Sequence, residues 1–153
     1  MTPRSCNSDF RCVHCGNFVS AMQVVCGVHN RNHCPYCLWS RHLDIYTAGD
    51  RLSACKAPMR PLGLTTKPCH NKYAPGGGEM MLVHLCVDCG RVSINRIAAD
   101  DDAQTLMEIF ATCRTIPSGI RDLLLASGIR LLNSEDVWIV QRQLLGANIA
   151  FST

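Results

Sequence analysis

Apolar and polar positions alternate with two different periods along the chain. From Asp102 onward the spacing is helical, with Leu106, Met107, Ile109, Phe110 and Cys113 on one face and Asp102 placed to cap the first turn. Pro117-Ser118-Gly119 interrupts this pattern. A second helix is predicted over Ile120 to Ser127, presenting Ile120, Leu123 and Leu124 and stopping at Gly128, which can take a left-handed conformation. A third is predicted to start at Ser134, where Glu135 and Asp136 suit the helix dipole, and to stop at Gly146. Helices this short need tertiary packing, so they are expected to dock on the rest of the chain or on a partner. Before residue 98 the pattern is one of short strand-like pieces, such as Met22 to Val25 and Met80 to Leu85, between turn signals. Pro75-Gly76-Gly77-Gly78 has the composition of an exposed hairpin tip.

Composition sharpens the contrast. The 153 residues are 47% hydrophobic and 18% charged, as in a globular chain of one or two domains. Ten of the eleven cysteines precede residue 98, and only Cys113 follows it. The segment from Met1 to Cys12 has no apolar core of the kind a secretory signal requires. The longest apolar runs, Met22 to Val28 and Met80 to Val87, are far shorter than the roughly 18 residues that span a bilayer. A cytoplasmic location without membrane contact is therefore expected, and in that reducing compartment clustered cysteines serve as metal ligands more readily than as disulfides.

Ligand spacing is the strongest chemical signal. Cys12-x2-Cys15 is followed, after 18 residues, by Cys34-x2-Cys37, the arrangement of a four-cysteine zinc site in which each tight turn supplies two thiolates. Cys86-x2-Cys89-Gly90 repeats the first turn, Cys-Val-Asp-Cys-Gly against Cys-Val-His-Cys-Gly, and needs two more ligands. Cys55 is the expected third. His84 is the expected fourth, because residues 84 and 86 of a strand share a face; Cys69, His70 and Cys6 stay open as alternatives. Two zinc ions per chain follow. The tetrapeptide Cys34-Pro35-Tyr36-Cys37 also matches a thiol-redox motif, but no strand-helix-strand unit flanks it. The predicted architecture is a small, metal-bound α+β fold. Two zinc-ribbon or knuckle-like units of short β-hairpins occupy residues 1–101, and a helical extension occupies residues 102–153.

The run His29-Asn30-Arg31-Asn32-His33-Cys34-Pro35-Tyr36-Cys37-Leu38 resembles the RNHCP domain family, named for residues 31 to 35. The resemblance continues through Ser40-Arg41-His42-Leu43-Asp44, Gly49-Asp50-Arg51, Cys55, Met59, His84-x-Cys86-x2-Cys89-Gly90 and Asn95-Arg96-x-Ala98-x-Asp100-Asp101. It covers residues 10 to about 110 and implies zinc binding and a fold, without specifying an activity. Structural jobs are available to the motif residues themselves: Asn32 and His33 can bond the backbone or sulfurs beside Cys34, and Pro35 can stiffen the turn.

Charge divides unevenly. Residues 1–98 hold 11 Lys+Arg against 5 Asp+Glu, or +6, and residues 99–153 hold 4 against 7, or −3; twelve of the fifteen basic residues are arginine. Guanidinium groups bind phosphate bidentately and stack on bases. RNA binding or association with a ribosomal particle is therefore the leading expectation, through Arg31, Arg41, Arg51, Arg60, Arg91 and Arg96, with Tyr36, Trp39 and Tyr46 nearby. Thiolate charge on two zinc ions reduces the +6 to about +3, which weakens that expectation. An interaction adaptor is a second reading, in which the helices around Leu123, Trp138 and Leu144 meet a protein partner. A His-Asn-His nuclease built from His29, Asn32, His33 and His42 is a third, but the strand and helix order of that class is missing and closed zinc sites suit structure better than catalysis. The protein is expected not to be an enzyme.

Overall fold

The computed structural model describes residues 9–22, 27, 31–44, 52–67 and 78–145. Two antiparallel sheets follow one another. The first joins β1 (Phe10–Arg11) to β2 (Phe18–Val19), and the second has the order β3 (Ser40–Arg41), β4 (Pro58–Lys67), β5 (Glu79–Cys86), β6 (Val92–Arg96). The strand anticipated at Met80 to Leu85 is β5, while most of Met22 to Val25 and the predicted hairpin tip up to Gly77 lie outside the described residues. Strand β4 runs against its turn-like composition. Pro58 stands at its first position, and Pro61 sits where the β4–β5 register shifts before Gly63, the two places where a strand tolerates a missing N–H. β3 pairs only with Pro58 and Met59. Beyond it the chain at 130–132 lies along β4, with the Leu132 amide donating to Leu64 O at 2.7 Å and Thr65 Oγ1 donating to Arg130 O at 2.7 Å. A Cβ on Gly63 would stand 3.1 Å from Leu131 Cδ2, so this close approach favours glycine there.

Alternation along β4 and β5 sends side chains to both faces of the larger sheet, and both are covered. On one face Leu64, Met80 and Leu82 pack with Leu38, with Leu106 and Phe110 of α1 (Ala103–Ala111), with Leu132, and with Val140 of α3 (Val137–Leu145). On the other, Leu62 and Val83 pack with Leu124 of α2 (Ser118–Ala126), with Leu85, Val92 and Ile94 at the margin. The helices thus dock on the sheet, and the apolar core crosses residue 101 without a break.

Helix ends differ slightly from expectation, each for a local reason. Asp102 caps α1 as predicted, accepting from the Thr105 amide at 2.9 Å; Cys113 is buried in the 3-10 turn Thr112–Thr115 that follows. Helix α2 starts two residues early, directly after Pro117, and ends before Gly128, whose φ is 76°. The third begins with a 3-10 turn at Ser134–Asp136 capped by Asn133, because the Asn133 amide oxygen and the Asp136 carboxylate satisfy each other's backbone N–H groups. Leu123, expected on the apolar face, is 40% exposed, whereas Leu124 is 1% exposed. Among the described residues no helix is long and apolar enough to cross a membrane.

Replacing Leu124 with alanine should therefore lower the unfolding free energy by about 2–5 kcal/mol. The same change at Leu123 should move it by no more than about 0.5 kcal/mol. Urea titrations with metal in excess measure both.

Candidate metal centres

Four chain turns carry the metal-ligand side chains, and all four are closed by the same pair of backbone bonds. In the first, the Gly16 amide donates to Cys12 O at 3.0 Å and the Cys12 amide to Asn17 O at 2.9 Å. Leu38 to Cys34 O with Cys34 to Trp39 O, and Gly90 to Cys86 O with Cys86 to Arg91 O, repeat this pattern at 2.8–3.1 Å. The fourth is split. Lys56 donates to His42 O at 3.1 Å and His42 to Ala57 O at 2.9 Å, so His42 and Cys55 occupy the positions that Cys12 and Cys15 hold in the first turn. Twelve residues, 43 to 54, replace the usual two between them. The residue after the second ligand is left-handed in every turn: Gly16 (φ 79°), Leu38 (64°), Lys56 (54°) and Gly90 (76°). This conformation closes the turn with its amide facing the first ligand's carbonyl.

The turns pair into two ligand sets, Cys12/Cys15/Cys34/Cys37 and His42/Cys55/Cys86/Cys89, each with donor atoms within 4.8 Å of one another. Cys12 Sγ lies 3.6 Å from Cys37 Sγ, Cys15 Sγ 3.6 Å from Cys34 Sγ, and Cys55 Sγ 3.6 Å from Cys86 Sγ. A disulfide needs about 2.05 Å. A tetrahedron of sulfurs about 2.3 Å from a zinc ion has an edge of about 3.8 Å, so the spacing fits a shared metal. The His42 Nδ1 atom stands 3.4 Å from Cys89 Sγ, also within one coordination shell. Amides support the sulfurs: His14 and Cys15 donate to Cys12 Sγ at 3.4 Å, Tyr36 to Cys34 Sγ at 3.4 Å, and the Asn17 side chain to Cys15 Sγ at 3.3 Å. Such bonds spread thiolate charge.

The fourth ligand of the second set corrects the expectation of His84. That side chain lies outside the set, with Nε2 2.7 Å from Leu38 O and Nδ1 2.8 Å from the Asn95 side-chain nitrogen. Since a carbonyl only accepts, the Nε2 atom carries the proton, and neither ring nitrogen is left for a metal. Burial holds its pKa at about 3, so the ring stays neutral. Residues 84 and 86 do share a strand face, but His84 points to the sheet interior behind Leu38. Cys69, His70 and Cys6 lie outside the described residues. A sequence signal for His42 existed: Cys55 has no cysteine at turn spacing, and His42 is the one histidine between Cys37 and Cys55.

The arginines separate into two kinds, and Arg31 leaves the set expected to meet RNA. It is 1% exposed; its Nη1 lies 2.8 and 2.9 Å from the Asp100 carboxylate oxygens, its Nη2 3.3 Å from Asp101, and its Nε donates to His33 O at 3.0 Å. The His33 Nε2 atom stands 2.6 Å from Asp101, whose Oδ2 also accepts from the Ala98 amide. Asn32 donates to Asp44 at 2.9 Å, and Pro35 O accepts from the Asp102 amide at 3.0 Å. The stretch from Arg31 to Pro35 therefore fastens the first metal unit to the start of α1. Arg60, Arg91 and Arg96 are exposed and Arg41 is half-exposed, with Arg96 paired to Glu79 at 2.8 Å. Arg51 and Tyr46 lie outside the described residues.

Thiols this crowded resist losing their protons together. Burial pushes Cys34 up to about 11 and raises Cys37 further. Cys15 is lowered to about 7: its slight burial acts upward, and hydrogen bonds from Asn17 outweigh it. A cation in the shell supplies the missing drive to ionise. His42 is depressed by burial and by the nearby Arg91 charge, which favours the neutral imidazole that a metal binds.

A model of the RNHCP domain matches residues 7–107, a span that takes in all four turns and ends within α1. No curated protein and no solved structure matches the chain.

Metal analysis of chain purified under reducing conditions should give two ions. His42→Ala should reduce this to one, whereas His84→Ala should lower stability and leave two; loss of an ion on changing His84 instead would overturn the assignment. Lys56→Gly should be between neutral and about 1 kcal/mol stabilising in chemical denaturation, because glycine removes left-handed strain while adding unfolded-state entropy.

Proposed function

This chain belongs to the RNHCP domain family, and from that premise we propose that it is a non-enzymatic protein, structured by two zinc ions, that binds RNA or a ribosomal particle through arginines around its second metal set. Thiolate-rich tetrahedral sets are zinc's preferred environment, and four protein ligands leave no open position for catalysis. A reducing cytoplasm suits such ligands. Two of the histidines that a nuclease would need are otherwise engaged: His33 is buried on Asp101, and His42 stands among the cysteines; His29 lies outside the described residues.

The supporting observation is where the exposed cations stand. Arg41 is opposite Pro58, and Arg60 projects from the same face of β4 two residues on; Arg60 is opposite Leu85, which is opposite Val92, the neighbour of Arg91. Arg41 Nε donates to Lys56 O at 2.9 Å, which brings Lys56 to the same end of the sheet. Four basic residues thus stand at the end of the sheet that carries the second ligand set. Overall charge adds little: with two zinc ions, four thiolates leave −2 and three leave −1, taking the chain from +3 to zero. Binding therefore depends on local arrangement of the arginines. A second reading, a protein-interaction adaptor, is favoured by apolar side chains exposed on α2 and α3, namely Leu125, Leu123, Trp138 and Val137. It is compatible with the first.

The test is salt dependence. Phosphate contacts release counterions, giving a slope of about −0.7 to −0.9 per neutralised phosphate in a log–log plot. Changing Arg41, Arg60 and Arg91 to alanine, with zinc content verified, should flatten the slope by about two to three. Changing Arg31 should not flatten it. No RNA or ribosome binding by the intact chain at about 50 mM salt would sink the reading and leave the adaptor.

A further inference from the structure

We propose that the first metal unit is a stacking surface for unpaired nucleobases; this rests on the RNA reading above and specifies the strand it takes. Around the ligand set Cys12/Cys15/Cys34/Cys37, Cys12 and Val19 are buried; Phe18 and Arg11, paired across the two strands, face outward by strand alternation, and Val13 is exposed on the turn. Phe18 is 60% exposed and stands directly opposite Arg11 across β1 and β2. Tyr36, between the ligands of the second turn, is 59% exposed. His14, from the first turn, lies flat on Trp39, with ring centroids 4.0 Å apart and planes 5° apart. His14 is itself exposed, which puts this stacked pair at the surface.

Three features favour bases over a protein side. The exposed groups are the rings of Phe18 and Tyr36 interleaved with Arg11, His14 and Asn17; Val13 is the one exposed aliphatic side chain among residues 11–18, so no continuous aliphatic patch forms there. No free carboxylate repels a phosphate backbone: among residues 9–22 and 31–41 the single carboxylate, Asp9, is held by the Ala21 amide at 2.7 Å, while Arg11 is exposed; the −2 of a four-thiolate zinc set leaves the unit without net positive charge, so base stacking carries the binding there. The rings sit on metal-closed turns, so little freedom is lost when a base lands on them. Every base has a π face, which makes such binding tolerant of sequence, and a duplex hides those faces. Arginines at the second metal set and rings at the first then divide the work between backbone and bases.

The experiment uses the full chain loaded with zinc, titrated into a single-stranded oligouridine and into an RNA duplex of equal length. Phe18→Leu and Tyr36→Leu keep apolar bulk but lose the ring. Each should weaken single-strand binding about tenfold and leave the salt slope and duplex binding unchanged. Tyr36→Phe should bind as wild type. In Trp138→Phe protein, Trp39 is the one tryptophan remaining, and oligouridine should quench its fluorescence. The proposal falls if the leucine variants, holding two zinc ions, bind the single strand unchanged. It also falls if saturating oligouridine leaves Trp39 emission unaltered, or if the variants lose only self-association, which would assign the surface to a protein. Intact chain that binds neither RNA nor ribosomes removes the parent reading and this proposal with it; binding that depends on the arginines and ignores the rings removes this proposal alone.

Discussion

Sulfur atoms held 3.6 Å apart without a bond are the constraint around which this molecule is arranged. Neutral thiols gain little at that distance and thiolates repel, so the arrangement is stable when a cation gathers them. Each turn that supplies them is closed by its own backbone bonds, and each requires a left-handed residue just after its second ligand. Where that residue is glycine the conformation is cheap. At Leu38 it is not, and the compensation is visible: the side chain fills the main core while its carbonyl accepts from His84. The first metal unit, the sheet and the helices therefore meet at a single residue.

A second fastening acts in parallel. Arg31, His33 and Asp101 are almost wholly removed from water and bonded to one another, which ties the ligand Cys34 to the start of α1 across nearly seventy residues of chain. Buried charges contribute little net stability beyond what an apolar replacement gives, but removing one partner leaves the others stranded. The motif that identifies the family is thus chiefly a geometric lock beside a ligand, and only Cys34 within it touches the metal set.

The sequence made the first ligand set legible because two turns with two-residue spacers are a local pattern. Helices α1 to α3 were legible from their period, and the Asp102 cap from its chemistry. What escaped had non-local causes. The fourth turn is split by twelve residues, so His42 and Cys55 carry no shared signature. His84 had the right spacing from Cys86, yet its role was decided by Leu38 and Asn95, which are distant in sequence. Strand β4 was hidden by two prolines that only the short partner β3 and the register shift near Gly63 make tolerable. Arg31 has the composition of a surface cation, and only Asp100 and Asp101, brought alongside by folding, show it to be internal.

The split turn also separates the two metal sets in the entropy of their assembly. Loop-closure entropy grows with the logarithm of loop length, so joining ligands twelve residues apart instead of two adds about 1–2 kcal/mol to the order that the ion must impose. The chain between the paired turns is longer as well, 30 residues from Cys55 to Cys86 against 18 from Cys15 to Cys34. With comparable bonds to the metal, the second set is the one that a competing chelator empties first. Its departure would loosen β3, which carries Arg41 and is held only by Pro58 and Met59, while β4 would stay paired to β5 and the first set, with its short turns and its lock on α1, would keep its shape.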